Sequence, residues 1–236
     1  MLWLVGMPGV LAISFIALPL LLAGRPLPAS PTVVGMASAA QSAILLAIAA
    51  WAGVQLAPQV GLHAPFLAAA AHGRLDVAAL EAQLLPGVVG GLLGVAVLVA
   101  FAHFAPPPLA ALQDRVSLPL VARVLYGGIT EEILVRWGLM TTLLWLFWRV
   151  FQGGTGEPSV LTVWPPILLS AAAFGALHLP LVNAMLGDVT GPLAVYIVVA
   201  NAAFGIVAGV LFWRYGLEAA ILAHVTAHLG AAALQR

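Results

Sequence analysis

The chain has 236 residues, of which 63% are hydrophobic and only 7% are charged, and its formal net charge is zero. A soluble domain carries roughly 25% charged residues, so this composition indicates an integral membrane protein. No basic run is present, which excludes nucleic acid as a partner and excludes a polybasic lipid-binding patch. The absence of cysteine and lysine excludes thiolate metal ligands, a cysteine nucleophile and a lysine base.

A membrane-spanning helix needs about 20 mostly apolar residues. The sequence therefore predicts an all-α, polytopic transmembrane helix bundle of about seven to eight spans. The first span lacks the basic flank of a signal peptide, so we expect a retained helix, followed by a connection over 24–31. The predicted spans are 2–23, 33–57, 86–105, 118–150, 163–179, 192–213 and 217–234.

Three segments depart from a plain succession of spans. An eighth apolar element over 60–71 is interrupted by prolines and glycines, which argues against a complete span. The segment 73–85 carries three charged side chains among leucines and alanines, which predicts an amphipathic helix at the membrane interface. In the long fourth span, Gly127 and Gly128 mark the expected position of a bend.

Two pairs of glycines occur at helical spacing, Gly87 with Gly91 and Gly205 with Gly209. Glycines four residues apart lie on one helix face and let a neighbouring helix approach closely. We therefore expect a compact bundle, which can enclose a polar site.

The fourth span contains adjacent carboxylates, Glu131 and Glu132, and an arginine, Arg136. A charged side chain near the bilayer centre costs roughly 2.5–3.5 kcal/mol, so such a cluster is a candidate functional site. Residues four apart share a helix face, which predicts an ion pair between Glu132 and Arg136. Glu131 points about 100° away and remains available as a general base.

Aromatic and histidine side chains follow in the next spans. Phe174 and His178 lie one turn apart, and Pro180 places the histidine near the end of a helix or at a break. His224 and His228 share one face of the last helix, a spacing that suits two ligands of one metal or two donors directed at one oxygen. Valine follows His224 where the zincin motif requires glutamate, so the ordinary zinc-protease motif is absent.

In this order the motifs resemble the CAAX protease and bacteriocin-processing (CPBP) family of intramembrane proteases, whose eukaryotic members are the type II CAAX prenyl endopeptidases. The resemblance runs from about residue 116 to the C-terminus, and one position departs from the family pattern. His228 stands where the family usually has asparagine or aspartate. The motif residues that match are Glu131, Glu132 and Arg136, then Phe174 and His178, then His224.

The resemblance implies an intramembrane endopeptidase that hydrolyses a peptide bond of a membrane-associated protein or peptide. Glu131, assisted by His178, would activate the attacking water. His224 and His228 would stabilise the oxyanion, since histidine can still donate a hydrogen bond at position 228.

The remaining motif residues would support the reacting groups. The resemblance implies that Glu132 and Arg136 hold the catalytic side chains in place, while Phe174 packs beside His178. We expect Asn201, on the preceding helix, to make an interhelical hydrogen bond.

The sequence is compatible with a metal-dependent and with a metal-independent site. A three-histidine site of His178, His224 and His228 is an alternative that would hold a divalent metal such as zinc. The favoured mechanism, driven by glutamate, does not require a metal.

We expect one integral membrane domain over 1–236, with N-terminal helices that carry no motif over 1–115 and a CPBP-like catalytic core over 116–236. The expected partners are membrane lipid and a protein or peptide substrate, and the expected location is a bacterial cytoplasmic membrane. Two alternative functions remain: a non-catalytic family member, such as a bacteriocin-immunity protein or membrane scaffold, and a proton-coupled transporter.

Overall fold

The computed structural model describes residues 1–24, 29–115 and 118–234. Within these ranges the chain is helical and has no β-strand, and seven helices are long and apolar enough to cross a membrane. The predicted all-α polytopic bundle is therefore confirmed, and the protein is an integral membrane protein. Part of the predicted connection over 24–31 and the predicted boundary at residue 116 lie outside the described residues.

Ten described helices follow one another along the chain. The short helices α3 and α5 lie between spans, and α7 and α8 together form one span that is interrupted near His178. The helices are α1 (Leu2–Leu21), α2 (Pro31–Val60), α3 (Pro65–Ala71), α4 (Val77–His103), α5 (Pro107–Arg115), α6 (Leu120–Gln152), α7 (Val160–Ala176), α8 (Leu179–Leu186), α9 (Gly191–Tyr215) and α10 (Leu217–Leu234).

The predicted interfacial helix over 73–85 is wrong. The Asp76 side chain accepts a hydrogen bond from the backbone N–H of Ala79 at 3.0 Å and thereby caps α4, which begins at Val77. An aspartate at this position satisfies one of the free N–H groups at the start of a helix. Asp76 and Glu81 therefore belong to the cap and first turns of a spanning helix, while Arg74 precedes the cap. The apolar element over 60–71 contains only the short helix α3, so it is not an eighth span.

Helix α6 runs from Leu120 to Gln152 without a break, so the two glycines do not interrupt it. Two stretches, Arg123–Thr130 and Ile133–Met140, have wide π-helical turns, and the two carboxylates lie between them. The Thr141 hydroxyl donates to the carbonyl of Arg136, five residues earlier, at 3.2 Å. Such wide turns occur frequently at functional sites.

Both predicted glycine pairs lie at close helix–helix contacts. A Cβ at Gly87 would lie 2.6 Å from the Cβ of Leu222 on α10, and Gly91 faces Thr226 in the same way. Gly205 on α9 packs directly against the backbone of Ala171 on α7. The helices α4 and α10, and α7 and α9, therefore pack as two close pairs.

The N-terminal helices pack against α6. The Thr130 hydroxyl donates to the carbonyl of Gly6 on α1 at 2.7 Å. The Trp137 indole N–H donates to the carbonyl of Ala50 on α2 at 3.3 Å. Helix α6 is therefore enclosed by α1 and α2 on one side and by the C-terminal helices on the other.

Candidate active site

Glu132 and Arg136 form the predicted ion pair, and both side chains are completely buried. The Arg136 Nε lies 3.2 Å from the Glu132 Oε2, but the N–H does not have hydrogen-bond geometry towards that oxygen. The contact therefore rests on the attraction of the charges. The pairing follows from the spacing of four residues on one helix.

The rest of the Arg136 guanidinium is held by the C-terminal helices. Its Nη2 donates to the carbonyl of Gly205 on α9 at 3.2 Å. Its Cζ lies 5.0 Å from the ring centroid of Phe174, within the range of a cation–π interaction. A single buried cation thus ties α6 to α7 and α9.

Glu132 also holds His224. The Nδ1 of His224 lies 2.7 Å from the Glu132 Oε1. A carboxylate beside an arginine is an acceptor, so the Nδ1–H of the histidine donates, and its Nε2 is left for other partners. A carboxylate on one ring nitrogen sets the tautomer of an imidazole.

His178 lies where the sequence places it, at the break between α7 and α8. Its Nδ1 lies 2.8 Å from the carbonyl oxygen of Phe174, which can only accept, so Nδ1 carries the proton. In the neutral ring, Nε2 is then the basic nitrogen. The Phe174 ring packs edge-on against His178 with centroids 4.9 Å apart, as the sequence predicted.

His228 stacks on His224, with ring centroids 4.8 Å apart and planes inclined by 25°. A Cβ at Gly127 would lie 2.5 Å from the His228 Nε2, so the glycine on α6 makes room for the ring. The His228 Nδ1 is buried and has no hydrogen-bond partner within the described ranges. A buried polar atom without a partner is available to a substrate or a water.

One cavity of about 440 Å³ brings four of the predicted site residues together. Glu131, His178, His224 and His228 all line it, whereas Glu132 and Arg136 lie behind its wall. Glu131 is partly exposed and Glu132 is fully buried, so the two adjacent carboxylates occupy different environments. We call this space the main cavity.

Sequence reasoning missed three polar residues of the main cavity, Ser38, Arg123 and Tyr126. Arg123 precedes Gly127 by four residues and Glu131 by eight, so helical spacing was the signal that could have identified it. The Tyr126 hydroxyl interacts with the side chain of Ser42 on α2 and with the charge of Glu131. No motif in the sequence points to this link between α6 and α2.

The expectation for Asn201 is wrong in one respect. Its Nδ2 donates to the carbonyl of Ile197, four residues earlier on the same helix, at 2.8 Å. The hydrogen bond is therefore within α9 rather than between helices. Asn201 nevertheless lines the main cavity.

Apolar side chains of the N-terminal helices complete the main cavity. Ile13 and Leu18 of α1 and Leu45 of α2 all line it. Leu45 is 50% exposed and Leu177, beside His178, is 65% exposed, so the cavity opens at a rim of leucines. Residues without any motif thus decide the shape and the entrance of the site.

The histidines do not fit the three-ligand metal site considered from sequence. Among the described residues, no three His, Asp or Glu side chains lie together in a way that could hold a metal ion. We derive no step that uses a metal.

A protein-family model for type II CAAX prenyl endopeptidase Rce1-like proteins matches residues 113–230, which is half of the chain. The chain belongs to the Rce1-like family. The match includes every motif residue of the candidate site, and this family of CAAX intramembrane proteases is the one expected from the motifs. No curated protein and no solved structure matches the chain.

Proposed function

We propose that the protein is an intramembrane endopeptidase that uses Glu131 as its general base. The observation that carries the proposal is the unequal placement of the two carboxylates: Glu131 faces the main cavity, and Glu132 is held by Arg136 and His224. An ionised carboxylate that faces a cavity can accept a proton from water. A carboxylate already bound by two partners serves better to position them.

In the proposed reaction, water enters the main cavity between Glu131 and His178. Glu131 takes one proton from the water, and the water oxygen attacks the scissile carbonyl carbon. The other hydrogen of the water donates a hydrogen bond to the Nε2 of His178. The resulting tetrahedral intermediate collapses as the C–N bond breaks. Glu131 then returns the proton to the leaving nitrogen, so the products are a carboxylic acid and an amine.

The oxyanion of the intermediate needs hydrogen-bond donors that face the main cavity. We assign this role to His224 and His228, which stack on each other and both line the main cavity. Because the Nδ1–H of His224 donates to Glu132, donation from its Nε2 to the oxyanion uses the imidazolium form of His224. Removing one such donor typically costs about 3 kcal/mol of transition-state stabilisation.

The proposed substrate is a membrane-associated protein or peptide. The apolar rim of the main cavity, which includes Leu45 and Leu177, supports entry of a chain that is already at or in the lipid. A charged, freely soluble peptide would lose the hydration of its charges at this apolar rim and gain no polar contacts in exchange. Prenylated and unmodified peptides are therefore both suitable probes.

The test is hydrolysis of a library of lipid-anchored peptides, prenylated and unmodified, by the purified full chain in lipid nanodiscs. We expect Glu131→Gln to lower the rate at least about 1,000-fold, because the amide cannot accept the proton. Glu157→Gln, a matched change in an exposed loop, should retain full activity. If Glu131→Gln and wild type cleave at equal rates, or if neither cleaves any peptide, the proposal is wrong.

A further inference from the structure

The first turn of α10 is bound by groups that come from distant parts of the chain. The N–H of Leu217 donates to the carbonyl of His63, between α2 and α3, at 3.0 Å. The N–H of Ala219 donates to the side-chain oxygen of Gln83 on α4, also at 3.0 Å. The first N–H groups of a helix have no partner within the helix, so these long-range hydrogen bonds replace a local cap.

Glu218, in the same turn, accepts a hydrogen bond instead of donating one. Its Oε1 accepts from the backbone N–H of Leu67 on α3 at 2.9 Å. Glu218 is only 4% exposed, and its Oε2 has no hydrogen-bond partner within the described residues. Burying such a group costs free energy that its hydrogen bonds must offset. The proposed mechanism does not use this carboxyl group, and its hydrogen bond leads to α3 rather than to the main cavity.

The surface of α4 that faces α10 is formed by glycines. Glycines let two helices approach closely, but they have no side chains that interdigitate with the neighbouring helix. Packing on this face therefore restrains the position of α10 along the axis of α4 only weakly, and the polar contacts at the start of α10 restrain it further. The facing residues are Gly87 with Leu222, Gly91 with Thr226, and Gly94 with Ala227.

Helix α10 also carries the two histidines to which we assign the oxyanion. At a rise of 1.5 Å per residue, His224 lies about 9 Å and His228 about 15 Å along the helix from Glu218. His224 contacts Glu132 on α6 at 2.7 Å, and His228 lies over Gly127 on the same helix. A displacement of α10 along its axis would therefore change both contacts at once.

We infer that Glu218 and Gln83 are positioning residues, which hold α10 at the depth where His224 and His228 meet the scissile carbonyl. The inference rests on the proposed function, because that function assigns the oxyanion to these histidines. Neither Glu218 nor Gln83 is among the described residues that line the main cavity, so both act through α10. A misplacement of about 1 Å caused by a distant change can lower a rate about 100-fold.

The kinetic test uses the full chain in lipid nanodiscs and a lipid-anchored peptide that the wild type cleaves. In Glu218→Leu the N–H of Leu67 loses its acceptor, so kcat should fall about 10- to 100-fold while KM stays unchanged. Gln83→Leu removes the acceptor of Ala219 and should have the same effect. Thermal unfolding sets a temperature at which each variant is folded.

Two variants serve as controls for the loss of the hydrogen bond. Glu218→Gln keeps an oxygen that can accept from Leu67, so it should retain wild-type kcat and KM. Glu81→Leu makes the same change as Glu218→Leu at an exposed position of α4 and should also leave both values unchanged.

The position of α10 can be measured directly, because the chain has no cysteine of its own. A Cβ at Gly230 on α10 would lie 3.7 Å from the Cβ of Val95 on α4, a separation that suits a disulfide. The pair Val95→Cys and Gly230→Cys should therefore crosslink readily on mild oxidation. Adding Glu218→Leu should slow the crosslinking several-fold, whereas adding Glu218→Gln should not change it.

Several outcomes would overturn the inference while leaving the protease function intact. Wild-type kcat in folded Glu218→Leu and Gln83→Leu would show that these contacts do not position the histidines. An equal crosslinking rate with and without Glu218→Leu would show that α10 keeps its position without the contact to α3. Low activity in folded Glu218→Gln would mean that the charge, and not the hydrogen bond, is required.

Two further outcomes concern folding and the function itself. If neither Glu218→Leu nor Gln83→Leu folds, the two residues are structural and the positioning role is rejected. If the wild type cleaves no peptide, the proposed function and the positioning role fail together, whatever the crosslinking shows.

Discussion

The N-terminal helices α1 and α2 and the C-terminal helices α6 to α10 contribute to the same main cavity in different ways. The C-terminal helices provide every motif residue, including Glu131 and the histidines. The N-terminal helices provide mostly apolar walls, together with Ser38 of α2 in the lining and a contact from Ser42 to Tyr126. The chemistry of this site is therefore concentrated in one half of the chain, while its shape depends on both halves.

The largest effect is expected at the centre of the C-terminal polar network. Arg136→Met leaves Glu132 buried without its cation, and removing one partner of a buried pair typically costs about 3–5 kcal/mol. The thermal unfolding temperature should fall sharply, or the protein should fail to accumulate in the membrane. Arg74→Met, at an exposed position before α4, is the matched control. A normal unfolding temperature for Arg136→Met would show that the network does not hold the helices together.

A smaller effect is expected where α1 meets α6. A Cβ at Gly9 would overlap the Thr130 hydroxyl and the carbonyl of Leu125, so Gly9→Ala should separate the helices and destabilise the protein by about 1–3 kcal/mol. Thermal unfolding measures the change. Gly191→Ala is the control, since a Cβ at that position meets no atom within 4 Å. A lower kcat in Gly9→Ala, at temperatures where the protein stays folded, would show that α1 affects the catalytic step as well as the structure.

Gly127→Ala tests the close contact between Gly127 on α6 and the ring of His228. The new methyl group would displace the His228 ring, and we expect kcat to fall about 10- to 100-fold, or about 1.4–2.7 kcal/mol. Peptide hydrolysis by the folded variant measures the loss, again with Gly191→Ala as control. Wild-type kcat in Gly127→Ala would remove His228 from the proposed oxyanion site.

The smallest effect is expected at the rim. Leu45→Ala removes a half-exposed wall of the main cavity, so stability should change by less than about 0.5 kcal/mol while KM rises a few-fold. Ile44→Ala, at a more exposed position that does not line the cavity, should leave KM unchanged. Equal KM values for the two variants would show that α2 does not take part in substrate entry.

Much of the fold could be predicted because membrane spans depend on length and hydropathy, which are local properties. The charges of the segment over 73–85 predict an interfacial surface, whereas in the structure Asp76 caps a spanning helix. For Asn201 the sequence predicts an interhelical hydrogen bond, whereas its amide donates to the carbonyl of Ile197 on its own helix. Both errors concern the partner of a polar group, which local sequence does not specify.

The sequence by itself determined the all-α membrane class, the ion pair of Glu132 with Arg136 and the family, since these depend on composition and on spacing along one helix. Only the tertiary structure decided that Glu132 also holds His224, 92 residues away, and that Glu131 faces the main cavity. The physical reason is that a carboxylate's role depends on which donors and which open space surround it. Those surroundings come from helices that are distant in sequence and meet only when the bundle packs.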